Sequence, residues 1–69
     1  MTYRELTRKL RRLGCEFVRH AAGSHEVWWR PAQRRFTTIP HHSNRDLPAG
    51  TLRAILRDLS IGKQEFKDA

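Results

Sequence analysis

The sequence predicts a small α+β domain: a helix, three antiparallel strands and a second helix, folded as a two-layer sandwich with both helices on one face of the sheet. Three observations predict it. An apolar stripe at helical spacing runs from Leu6 through Leu10 to Leu13. Between residues 15 and 40, three short stretches rich in β-branched and aromatic residues are separated by turn residues. A second helical stripe follows at Leu52, Ile55, Leu56 and Leu59. Both helices must bury their leucines, and an antiparallel sheet offers one apolar face for that purpose.

Each element has a local cause. Thr2 and Glu5 fit a capping box, in which each side chain takes up a free backbone N–H at the helix start. Gly14 stops the helix, because glycine adopts the left-handed cap without strain. Residues 15–20 alternate, with Cys15, Phe17 and Arg19 on one face and Glu16, Val18 and His20 on the other, which predicts a short strand. Residues 21–24 form a turn, and residues 25–30 form a second strand. Residues 31–34 turn again at Pro31, and residues 35–39 form a third strand that Pro40 ends. A polar loop covers residues 41–47. Pro48 suits a first helical turn, and Gly50 delays the effective start of the second helix to Thr51. Ser60-Ile61-Gly62 breaks that helix, and residues 63–66 add a short turn that docks Phe66.

The 69 residues are expected to form one domain, 1–69. Chains of this size bury only about 60% of the surface that unfolding exposes, so the core is small. The net charge is +7, from 14 basic and 7 acidic residues. Residues 1–45 hold ten Lys/Arg and three Asp/Glu, whereas residues 46–69 hold four of each, so all the excess lies in the first helix and the strands. Eleven of the cations are arginine, whose planar fork suits bidentate phosphate contact. Segregated arginine of this kind points to a polyanion partner, above all nucleic acid. The single Cys15 excludes an internal disulfide and a cysteine-based metal framework, and it reads as a buried, inert thiol. No apolar run reaches the length of a membrane span and no signal peptide is visible, so a cytoplasmic protein without membrane contact is expected.

The motif with chemical content is Gly23-Ser24-His25, a tight turn that delivers a histidine to the start of a strand. Histidine exchanges a proton near neutral pH. Set among arginines, His25 is a candidate acid or base for phosphodiester chemistry. Gly23 permits a tight turn or close approach of phosphate. Ser24 either donates to a phosphate oxygen or caps the turn. Glu26 faces away from His25 on an alternating strand and is not assigned an orienting role. His42 is a second candidate, as complementary acid, substrate contact or loop histidine, and His41 and His20 rank below it. Nothing matches a zinc spacing, and neither metal nor cofactor is expected. Trp28 and Trp29 point to opposite faces, one into the core and the other onto an RNA base or under a protein partner. Trp28 is grouped with Arg19, Arg30, Arg34 and Arg35 as candidate RNA contacts.

The ordered set Glu5-Leu6, Leu10, Leu13-Gly14, Arg19, Gly23-Ser24-His25, Pro40, His42, Leu47, Gly50-Thr51-Leu52, Ile55-Leu56, Ile61 and Phe66 resembles the HicA toxin family of bacterial toxin–antitoxin modules. The resemblance spans nearly the whole chain. It implies a fold like the double-stranded-RNA-binding domain, α-β-β-β-α. It also implies an mRNA endonuclease whose essential residue is His25, and a HicB-like antitoxin that covers this histidine. A monomeric free toxin and a hetero-oligomer with antitoxin are expected. His20-Ala21-Ala22 departs from the polar or charged residues that more often precede the glycine. The competing readings are a non-catalytic RNA-binding module of the same fold and a module for protein interaction only.

Overall fold

The computed structural model describes residues 1–42 and 45–69. The elements are α1 (Tyr3–Arg12), β1 (Glu16–His20), β2 (His25–Arg30), a 3-10 turn (Pro31–Gln33), β3 (Arg35–Pro40), α2 (Ala49–Asp58) and α3 (Lys63–Lys67). The three strands form one antiparallel sheet in the order β1-β2-β3. This is the expected α-β-β-β-α arrangement. The further turn expected over residues 63–66 is helix α3, with Phe66 buried.

Helix α1 begins with the capping box. Glu5 N donates to Thr2 Oγ1 and Thr2 N donates to Glu5 Oε1. These bonds hold the Glu5 carboxyl below its ordinary range, because the backbone N–H of Thr2 favours the charged form. The helix ends with Gly14 at φ +87°, where Gly14 N donates to Arg11 O and Cys15 N to Leu10 O, the paired bonds of a Schellman motif. Helix α2 ends in the same way, through Ser60 N to Arg57 O and Ile61 N to Leu56 O. Here, however, the left-handed position at φ +54° belongs to Ser60. A non-glycine residue pays roughly 1–2 kcal/mol in that region, and glycine returns part of this as unfolded-chain entropy. Ser60→Gly is therefore expected to raise stability by about 0.5–1 kcal/mol, visible as a rise of a few degrees in Tm. A lower Tm would show that the serine side chain stabilises the cap.

Helix α2 starts two residues earlier than expected, at Ala49, with Gly50 inside its first turn and Pro48 at the N-cap. The fixed φ of proline sets up the helix entry and offsets the entropy of Gly50. The predicted loop 41–47 includes Ser43 and Asn44, which lie outside the described residues. Its later part is tied down: Asp46 bridges Thr2, and Leu47 is buried with its N–H on Met1 O at 2.7 Å.

Strand β2 carries Glu26, Trp28 and Arg30 on the helix-covered face and His25, Val27 and Trp29 on the open face. The core gathers Leu6 and Leu10 of α1, Cys15, Trp28, Ile39, Ile55 of α2 and its C-cap Leu59, Ile61 and Phe66. Burial pushes the Cys15 thiol pKa up, in keeping with an inert cysteine. Cys15 itself precedes β1 rather than opening it. The expected face assignment of β1 holds for Glu16 and Phe17 and fails beyond them. Phe17 pairs with Trp28 but Arg19 with Val27, so Val18 is the extra residue of a β-bulge. Arg19 accordingly lies on the open face and His20, opposite Glu26, on the helix side.

Candidate active site

The Gly23-Ser24-His25 turn closes the β1–β2 hairpin. Ala21 N donates to His25 O at 2.8 Å, and Gly23 takes φ +67°. A Cβ at Gly23 would meet nothing within 4 Å, so the requirement for glycine there is conformational. The chain just beyond β3 fixes the turn from the other side, where His41 N donates to Ser24 O at 2.8 Å. His25 is exposed, and its Nδ1 lies 3.3 Å from Ala22 O. Because a carbonyl only accepts, this contact is a hydrogen bond in the tautomer that carries its proton on Nδ1, the one in which Nε2 is the acceptor.

His25 lines a cleft of about 260 Å³ at the outer edge of β3, with Thr37, Thr38 and Pro40 from β3 and Thr51, Ala54, Ile55 and Asp58 from α2. Asp58 is held by Thr37, whose Oγ1 donates to Oδ2 at 3.0 Å. Thr51 brings the first turn of α2 to the cleft, and that turn has no side-chain cap. Among the described residues, no arginine lines this cleft.

The structure divides the residues expected to bind RNA. Arg19 and Arg34 are exposed, Arg34 at a left-handed turn position. Arg35 is exposed and donates through Nε to Asp58 O at 2.7 Å, which pins β3 to the end of α2. Trp28 and Arg30 are corrected to interior residues. Trp28 is fully buried, with Nε1 donating to Glu26 and the Arg11 guanidinium over its ring at 4.9 Å. Arg30 is buried against Leu59 O, Ser60 O and the Glu65 carboxylate. Their parity along β2 puts both on the covered face, so neither reaches a ligand on the open one. His42 is exposed in the loop and does not line the cleft.

Sequence reasoning weighed Glu26 only as a partner for His25 and gave it no role. It faces away from His25, as alternation requires, and is buried as the hub of a polar network. Tyr3 OH donates to it at 2.6 Å and Trp28 Nε1 at 3.0 Å, and His41 Nδ1 lies 3.2 Å from it. The Tyr3 and His41 rings stack at 3.8 Å. The network ties the first turn of α1 to the sheet end that bears the Gly23–His25 turn. The only sequence signal for it was the parity shared with Trp28.

This network gives a pH prediction at both ends. Burial and the bond to Glu26 push the Tyr3 hydroxyl up to about 12. A group with a raised folded pKa stabilises fully below its unfolded value, near 10, and loses that contribution as pH rises towards 12. For Glu26, burial alone would raise the pKa, but the bonds from Tyr3, Trp28 and His41 outweigh it and hold the carboxyl below 4.5. Its stabilisation is present above 4.5 and is lost as pH falls below that value. Urea melts across pH should show both limbs, and Tyr3→Phe should flatten the alkaline one. Tyr3 is the only tyrosine, so tyrosinate absorbance reads it directly.

A family model described as the HicA toxin of bacterial toxin–antitoxin matches residues 3–61. The chain belongs to the HicA toxin family. It is thus a toxin of a toxin–antitoxin module, and such a module supplies an antitoxin as partner. The HicA match takes in α1, the sheet with the Gly23–His25 turn, and α2. Comparison with curated proteins and with solved structures gives no match. Among the described residues, no helix of this HicA chain is long and apolar enough to cross a membrane.

Proposed function

We propose that this HicA toxin is a metal-independent endoribonuclease that cleaves mRNA in the cytoplasm, with His25 as its acid/base residue. The observation that carries the reading is the exposed His25 ring, fixed through Nδ1 at the Ala22 carbonyl beside an open cleft. RNA supplies its own nucleophile. Nε2 of His25 accepts the 2′-hydroxyl proton, the 2′ oxygen bonds to phosphorus, and the bond from phosphorus to the 5′ oxygen breaks. The leaving oxygen takes up a proton from the imidazolium or from water. The products are a 2′,3′-cyclic phosphate and a 5′-hydroxyl end. Ser24 and the Gly23 backbone contact the phosphate, and Arg19, Arg34 and Arg35 supply positive charge to neighbouring phosphates along the sheet. The partial positive charge at the start of α2 adds to theirs. His42 has no part in this scheme. A HicB-like antitoxin inhibits by covering the His25 cleft, so the free toxin is a monomer and the inhibited form a hetero-oligomer.

The test is incubation of the purified chain with labelled single-stranded RNA in EDTA. Cleavage to cyclic-phosphate ends is expected, with a 2′-deoxynucleotide at the cut position resisting it. A second reading, a non-catalytic RNA-binding module of the same fold, is favoured by the lack of arginine lining the cleft. It predicts binding without cleavage, with log K falling by about 0.7 per neutralised phosphate against log salt.

A further inference from the structure

We propose that the open face of the sheet is a stacking platform for single-stranded RNA, with Trp29 and Phe36 holding bases that flank the phosphate brought to His25. The proposal rests on the reading of the chain as an RNA-cleaving toxin. Trp29 and Phe36 are direct partners across β2 and β3, and their rings stack at 5.2 Å with 24° between planes. Phe36 is 55% exposed, the most exposed large apolar side chain among the described residues. No described helix covers this face, so the stacked pair stands in water as an aromatic surface in which Phe36 is exposed and Trp29 half-buried. Stacking on such a surface tolerates any base, because every base has a π-face.

Two further observations select RNA as the occupant. First, His25, Val27 and Trp29 occupy alternate positions of one strand and therefore one face, which sets the platform roughly 13 Å from the catalytic position along β2. A strand of RNA lying along β2 meets both. Second, Arg19 lies opposite Val27 on the same face, between the platform and His25, where a backbone phosphate would pass. The acidic group on this face, Glu16, is engaged by the Trp29 indole N–H at 3.3 Å. The chain as a whole carries +7, which favours a polyanion whose bases stack.

The test measures cleavage kinetics and RNA binding for Trp29→Leu and Phe36→Leu, which keep apolar bulk and remove the π-face, with Phe36→Tyr as the conservative variant. Binding is read in a His25→Ala background with a labelled single-stranded oligonucleotide. Each leucine variant should weaken binding about tenfold, with the loss appearing in KM rather than kcat, and Phe36→Tyr should restore it. RNA should also quench tryptophan fluorescence in the His25→Ala protein and fail to do so in Trp29→Leu, since Trp28 is buried. Unchanged KM and binding in folded leucine variants would overturn the platform while leaving the nuclease reading intact. Variants that bind RNA normally but no longer bind antitoxin would overturn it in favour of a protein interface. A parent chain that stacks RNA on Trp29 and never cleaves it would keep the platform and remove the nuclease reading.

Discussion

His25→Ala is expected to reduce RNA cleavage by about 10²–10⁴-fold, the usual contribution of one positioned acid/base residue. The folded state should be unaffected, because the side chain is exposed and its one bond goes to a backbone carbonyl within the same turn. Matching urea midpoints for variant and parent would establish this. RNA affinity should also survive, since the charge and aromatic groups assigned to binding lie elsewhere on the sheet. Added imidazole should restore part of the rate, because the substitution leaves a gap beside an open cleft. A variant that cleaves like the parent would remove His25 from the mechanism. Loss of cleavage together with loss of folding would instead make it a structural residue.

Arg30→Ala is expected to have the largest effect on stability, about 2–4 kcal/mol. The guanidinium is buried and joins three segments. It donates to Leu59 O at 3.2 Å, to Ser60 O at 2.9 Å and to Glu65 at 2.6 Å. Truncation leaves two carbonyls and a carboxylate without their donor. Breaking a fully buried pair costs roughly 3–5 kcal/mol, and the partly exposed Glu65 lowers this figure. Against a total of about 0.05–0.15 kcal/mol per residue, the loss leaves the chain marginal or unfolded. Any loss of RNA binding should then track the unfolded fraction in urea titration. A variant that melts like the parent but loses RNA would show that Arg30 contacts ligand after all.

The order of elements was legible because each has a local cause. The capping box, Gly14 and the leucine spacings fix α1, and Pro31 and Pro40 frame β3. The Gly23-Ser24-His25 turn was legible for the same reason. What sequence did not reveal was parity. Trp28 and Trp29 are equivalent to a reader of the chain, and only packing against α1 decides which goes inside. Arg30 follows Trp28 inward because it shares its parity, although isolated arginines are far more often solvated. Likewise Trp29 and Phe36 meet through strand register, which no local pattern encodes. Glu26 was read correctly as facing away from His25, but two of its three partners, Tyr3 and His41, come from distant segments.

The bulge at Val18 bears on how this molecule remains apart from its own copies. Strand β1 is a sheet edge with all five residues exposed. A straight edge of that kind, carrying Phe17 and Val18, would be a template for another strand. The opposite edge, β3, is guarded by α2 through Arg35 and Thr37 on Asp58. On β1 no helix does that work, and the extra residue bends the strand and interrupts its ladder instead. A chain lacking Val18 would keep every cross-strand partner of Phe17 and Arg19. It would also expose an uninterrupted edge, exchanging solubility for regularity.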